Sequence, residues 1–457
     1  MDGIVAHTRL DTAVLESRTE EETPFNTLFR LFLLGNPVTP AALEKALGRF
    51  PVESLLTGGV VRMAKIGLQA NARIDVWEER YVFADFYKGG VALLEHVLGT
   101  AEASSCLQKL TVRRAVKSAL DVGTGGGCQA LLLTTHAEQV VGTDVSFRAL
   151  NFAAANARLN GIENLQLLRG NFFEPVGDTK FDLVVSNPPF IISPESQFAF
   201  RDSGLGGDEV SRRVLEQAAA HLSEGGFATI LVNWHHKNLQ DWSERPAKWV
   251  LNNSCDVLWL RFDTYDPVNY AMTWMRNSQQ AESINVREML DKWLTYYKSL
   301  GAGKISFGAV IMRKRGNTKN WKRFDFLDRA TAIGVAGDQI QRIFETEDVL
   351  RSSSGEDWLL NRSFRITSAI SIEQRLLLEE EQWQRTLLQL LLDEGIQYRV
   401  AIDEHVMSFL VGLDRGETLR EIAVGLAKEM QAEEMAVLKM ALAITRSLMQ
   451  KGVLALC

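Results

Sequence analysis

Between residues 116 and 315 short apolar runs alternate with stretches whose apolar positions recur at helical spacing. The runs predict strands at Ser118–Val122, Val140–Asp144, Leu165–Leu168, Phe181–Ser186, Phe227–Trp234, Asp256–Phe262 and Lys304–Met312. The gaps predict amphipathic helices, most clearly Ser146–Asn160, Ser211–Ser223 and Glu282–Leu300. Such alternation argues for an α/β fold with a mostly parallel sheet covered on both faces. Ligands then bind beyond the carboxyl ends of the strands.

The flanks differ. Residues 1–20 form a polar lead-in. From residue 21 to 108, Leu28, Leu31, Phe32 and Leu34 fall at helical spacing before a Gly-Asn-Pro break. Thr39 ahead of Pro40 then reads as an N-cap followed by proline at the first helical position. Leu55 to Val61 and the stretch Arg73–Phe86 complete a helix, turn, helix, hairpin order, which is winged-helix-like. Residues 316–457 are mostly helical and close similarly: a helix, a turn, a helix capped at Thr418, a longer helix and an apolar strand. Leu376–Leu378 followed by Glu379–Glu381 predicts a solvated helix face.

The 457 residues suit several domains, and an apolar fraction of 46% against 23% charged excludes a disordered chain. No apolar run approaches a membrane span, and the start lacks a secretory pattern. Cys106, Cys128, Cys255 and Cys457 lie far apart, so the expectation is reduced thiols in a cytoplasmic protein without a metal site. A net charge of −7, with no strongly basic segment, disfavours a protein that grips long nucleic acid.

Candidate chemistry gathers at the strand ends. Asp121-Val-Gly123-Thr-Gly125-Gly-Gly ends the first strand and opens a helix; its glycines permit a tight turn and close approach to a ligand. That turn alone fits several nucleotide sites. Asp144 ends the second strand, where an acidic side chain can accept ribose hydroxyls or serve the following helix as a cap. Asn187-Pro188-Pro189-Phe190 ends the fourth. A planar NH₂ group is a poor nucleophile because its lone pair is delocalised. The Asn187 side-chain oxygen and a fixed Pro188 carbonyl can accept its two hydrogens, and Phe190 can hold the flat group.

Together these features resemble the class I S-adenosylmethionine-dependent methyltransferases with an Asn-Pro-Pro-[Phe/Tyr] motif, over residues 109–315. The stretch from Phe198 through the Gly206-Gly207-Asp208 turn to Ile230 is most similar to the HemK-type protein-glutamine methyltransferases. The resemblance implies a Rossmann-like, seven-stranded sheet and S-adenosylmethionine as cofactor. It further implies that Asp121 faces the methionine amino group, that Gly123 and Gly125 admit the methionine part and that Asp144 holds the ribose. Asn171, with Phe172 after it, stands where the family commonly has an Asp for the adenine amino group, and the neutral side chain weakens that hydrogen bond. Asn187, Pro188 and Phe190 then hold the substrate nitrogen, and the resemblance also counts Asn187 among the cofactor-binding residues.

The implied acceptor is a protein glutamine side chain. Phe190 departs from the Tyr usual in that group and is frequent in RNA guanine-N2 methyltransferases. RNA guanine or adenine is therefore the alternative acceptor, and a non-catalytic cofactor-binding scaffold is the second alternative. Asn233-Trp234 are further pocket candidates. His235-His236 read as a solvated loop, and Arg313-Lys314-Arg315 as a solvated strand edge.

Overall fold

The computed structural model describes residues 9–86, 96–195, 204–277, 285–316, 319–327, 332–352 and 356–457. Its centre is a sheet of eight strands: β1 (Val116–Val122), β2 (Ala137–Asp144), β3 (Leu165–Arg169), β4 (Phe181–Ser186), β5 (Leu222–His236), β6 (Cys255–Tyr265), β7 (Lys304–Lys314) and β8 (Lys322–Phe326). Their spatial order is β8-β6-β7-β5-β4-β1-β2-β3. Only β7 runs antiparallel to its neighbours, β6 and β5. β1, β4 and the middle of β5 are buried on both faces, which is why they read as continuous apolar runs.

The eighth strand is one more than the sequence pattern predicts. β8 pairs parallel with β6, Val257 opposite Lys322 through Arg261 opposite Phe326, so the sheet continues past residue 315. Lys322, Arg323 and Asp325 hide it, since an edge strand tolerates charge that an inner strand does not.

Helices cover both faces: α1 (Cys128–Leu133), α2 (Phe147–Leu159), α3 (Glu209–His221), α4 (Glu244–Val250), α5 (Pro267–Asn277) and α6 (Val286–Ser299). Residues 282–284 of the predicted last helix lie outside the described residues. Ser146 caps α2 by accepting from the Ala149 amide at 3.2 Å. One core, holding Trp234, Trp249 and Trp259, fills one face of the sheet. The other core contains Leu231 and Ile311 and runs without interruption into the C-terminal region. There α7 (Gly337–Ser352) sets Phe344 edge-on against Phe227 of β5, 5.2 Å between ring centroids.

In the N-terminal region a helix, Arg9–Arg18, occupies part of the polar lead-in, whose first eight residues lie outside the described residues. Helices Pro24–Phe29, Pro40–Leu47 and Val52–Thr57 precede a short hairpin, Val61–Met63 with Leu68–Ala70, and Val38 bridges to Leu68. A second hairpin, Arg73–Trp77 with Arg80–Ala84, lies on α2. There the buried Asn156 side chain binds both polar groups of Phe83 and the carbonyl of Gly126.

Two expectations for the later chain are corrected. Leu376–Glu381 is not a helix: Ile370–Glu379 and Gln382–Leu392 form a long antiparallel hairpin that turns at Glu380 and Glu381. Leu and Glu favour a helix locally, but the ladder partners of Leu376–Glu379, residues 382–385, decide the matter. Arg313–Arg315 is not a solvated edge, because β7 is an inner strand. Arg313 is buried and bonded to Asp256 and Asp348, and Arg315 also reaches Asp348.

Candidate active site

β4, β1, β2 and β3 are adjacent and parallel, so their carboxyl ends lie side by side. This order brings Asp121, the glycine turn, Asp144, Asn171 and Asn187 to one edge of the sheet. Asp121 is buried beneath the turn. Its Oδ2 accepts from the Thr124 hydroxyl at 2.7 Å and the Ala130 amide at 3.0 Å, while Oδ1 takes neither bond. Burial pushes this carboxyl up to about 7, against the two hydrogen bonds that lower it.

Gly123 and Gly125 adopt φ of +72° and +56°, and a Cβ on either would meet nothing within 4 Å. The turn is therefore left-handed, and it faces open space rather than packed protein. Asp144 fixes its position: Oδ2 accepts from the Gly125 amide at 2.9 Å and Oδ1 from the Ser146 amide at 2.8 Å. Its carboxyl is raised by burial. Asn171 is exposed just beyond β3. Phe172 follows at φ +47°, its carbonyl held by the Thr143 hydroxyl at 2.8 Å.

Asn187 follows β4 directly and is half-buried, and among the described residues its side chain makes no hydrogen bond. The Pro188 carbonyl accepts from the Phe190 amide at 2.7 Å, which ties Pro188 to Phe190 and leaves one carbonyl lone pair over. The Phe190 ring is 8% exposed and packs 5.5 Å from Phe307, which in turn meets Phe262 at 5.4 Å. It thus sits on an aromatic wall.

Asn233 and Trp234, near the end of β5, separate to opposite faces. Trp234 belongs to the tryptophan core, 5.3 Å from Trp259, whereas Asn233 is on the site side and donates to the Tyr270 hydroxyl at 2.5 Å. His235 and His236 do not form a solvated loop. β5 continues through both, opposite Ile305 and Lys304, and both are buried. Burial holds the two imidazoles below their ordinary range.

Sequence reasoning missed Tyr270 and Tyr297, and it noted Asp208 only as part of a turn. Asp208 is buried, accepts two bonds from Arg245 at 2.7 and 2.6 Å, and accepts from the His235 amide at 3.2 Å. It anchors the first described part, Gly204–Asp208, of the stretch that begins at Phe198; residues 198–203 lie outside the described residues. Cys128 adjoins the glycine turn, but burial pushes its thiol up to about 12, so it is no nucleophile.

The arrangement suits a nucleotide-like cofactor. A left-handed glycine turn leaves its upper side open, a carboxylate ends the neighbouring strand, and an unengaged amide stands one strand away on the other side.

Comparison with known proteins agrees. The methyltransferase small domain family matches residues 100–243, and two domains of unknown function match residues 5–71 and 341–456. The chain is 32% identical over 200 residues to the ribosomal protein uL3 glutamine methyltransferase of Bradyrhizobium diazoefficiens, covering 40% of this chain and 61% of that protein. It is 38% identical over 135 residues to the release factor glutamine methyltransferase of Geobacter sulfurreducens, covering 26% and 47%. The chain thus spans about half the length of these two relatives. A putative protein N5-glutamine methyltransferase of Methanocaldococcus jannaschii is 32% identical over 152 residues, covering 31% of this chain and 76% of that protein. On that match, the chain belongs to the HemK-type class I S-adenosylmethionine-dependent methyltransferases.

Proposed function

We propose that the protein methylates the side-chain nitrogen of a glutamine in a protein substrate. The observation that carries this reading is the unengaged Asn187 amide beside the Pro188 carbonyl, one strand from the open glycine turn. The names of the three relatives support the acceptor, and among the described residues no helix is long and apolar enough to cross a membrane.

Gly123 and Gly125 let the backbone approach the methionine part of the cofactor, and Asp121 offers Oδ1 to its amino group. Asp144 takes the ribose, and Asn171 with Phe172 borders the adenine. When bound, S-adenosylmethionine supplies an electrophilic methyl on a sulfonium that is already a good leaving group. The remaining task is positioning. Asn187 Oδ1 and the Pro188 carbonyl accept the two hydrogens of the glutamine nitrogen and orient its lone pair. Phe190, seated on Phe307, closes the acceptor side, and the proton passes to water after transfer.

The test uses methyl-labelled S-adenosylmethionine with purified protein and cell extract, with Asn187→Ala as control. Label that survives RNase and is released by protease supports the reading. RNase-sensitive label overturns it in favour of RNA. Cofactor binding without label above the Asn187→Ala control points to a scaffold.

A further inference from the structure

The backbone that follows the Asn187–Phe190 motif leaves the sheet and has no ladder of its own. Its polar groups are met instead by tyrosines from α5 and α6, the helical pair inserted between β6 and β7. The Ile192 amide donates to the Tyr270 hydroxyl at 3.2 Å, and the Tyr297 hydroxyl donates to the Ile192 carbonyl at 2.9 Å. Ile192, Tyr270 and Tyr297 are each at most 2% exposed. Tyr296, beside Tyr297 on α6, accepts from the Gly207 amide at 2.7 Å, just before the buried Asp208. Neighbouring tyrosines on one helix therefore hold the chain both after the acceptor motif and before α3.

The brace is tied back to the sheet by Asn233. It lies on the same face as Phe307, its cross-strand neighbour, and Phe307 carries Phe190. Asn233 is 1% exposed, spends its amide nitrogen on Tyr270 and leaves Oδ1 without a partner. An apolar residue in its place would spare that orphaned oxygen, so the asparagine gives stability little reason to keep it.

We propose that Tyr270, Tyr296 and Tyr297, with Asn233 acting through Tyr270, are positioning residues that set the acceptor motif against the cofactor. The α5–α6 insertion is then part of the catalytic apparatus rather than a cover for the sheet. This rests on the methyl-transfer reading above. Misplacement of a reacting group by about 1 Å costs about 10²-fold in rate, and removing a hydroxyl that fixes Ile192 permits shifts of that size.

The experiment compares wild type with Tyr270→Phe, Tyr296→Phe, Tyr297→Phe, Asn233→Leu and the Asn233→Leu/Tyr270→Phe double variant, all as full chains. Extract protein at varied concentration is the acceptor, and RNase-resistant label gives kcat and an apparent KM. Calorimetry gives the Kd for S-adenosylmethionine, and thermal unfolding gives Tm. The expected result is a fall in kcat of about 10-fold to 10²-fold for Tyr270→Phe and Tyr297→Phe, with cofactor Kd unchanged. Asn233→Leu should lose kcat at equal or higher Tm and add nothing in the Tyr270→Phe background. Unchanged kcat overturns the assignment, as does a loss that tracks cofactor affinity or Tm. An additive double variant overturns the role given to Asn233. If the wild type places no label on protein, the underlying reading fails first and the assignment falls with it.

Discussion

Arg313 at the end of β7 gives two hydrogen bonds to Asp348 of α7, at 2.8 and 2.6 Å, and a third to Asp256 of β6 at 2.9 Å. Asp256 is buried and also accepts the Trp321 amide at 3.2 Å. Asp256→Ala therefore removes the more buried of the two carboxylates that face the Arg313 guanidinium and takes the acceptor from the Trp321 amide. We expect a loss of about 3 kcal/mol in urea unfolding, in the range for breaking a buried pair. Asp348 is 35% exposed, so Asp348→Ala should cost clearly less.

The glycine turn separates cofactor binding from stability. Gly125→Ala points a methyl into open space, whereas at Gly127, φ +87°, a Cβ would lie 3.1 Å from that of Ala153 in α2. Both pay about 1–2 kcal/mol for a left-handed backbone. Gly127→Ala should lose more, by forcing α2 away. Gly125→Ala should retain its fold and weaken S-adenosylmethionine in calorimetry.

Asp121 sets a pH dependence. Its folded pKa of about 7 exceeds the unfolded value of about 3.9. Between the two the folded state holds a proton that the unfolded state has released, so stability declines as pH rises from about 4 to about 7. Three pKa units bound the effect at about 4 kcal/mol. Asp121→Asn removes the slope while keeping an oxygen for Thr124 and Ala130. Denaturant titrations at pH 5 and pH 8 should show the variant gaining on wild type at the higher pH.

The hairpin turns are under-optimised. Glu380 and Glu381 sit at φ +49° and +64°, and Glu78 and Glu79 at +47° and +61°. A two-residue turn of this form favours Asn-Gly. Replacing Glu380→Asn together with Glu381→Gly should add about 1–2 kcal/mol, read as a higher Tm.

What was legible in the chain follows from where each constraint lies. The glycine turn and Asn187–Phe190 were readable because their chemistry dictates residue types at fixed spacing, and β4 matched Phe181–Ser186 because a strand buried on both faces must be apolar throughout. β8 and the 370–392 hairpin were not readable, since their strand character comes from partners across a ladder. For the same reason the end of β5 ran past Trp234: pairing with Lys304 and Ile305, not the local pattern, carries it through His236. Tyr270 and Tyr297 bind Ile192 from 78 and 105 positions away, and no local signal encodes that. Their hydroxyls become meaningful only once the inserted helices fold back.

The core that joins Leu231 of β5 to Phe344 and Leu442 without a break also bears on how this molecule could have arisen. A catalytic unit cut at the end of its sheet would expose the apolar face that α7 covers. The tail alone would lack the surface against which Phe344 packs. Gaining or shedding either piece in a single step would therefore leave Phe227 or Phe344 uncovered. A relative without the tail should carry a smaller or more polar residue where this chain has Phe227.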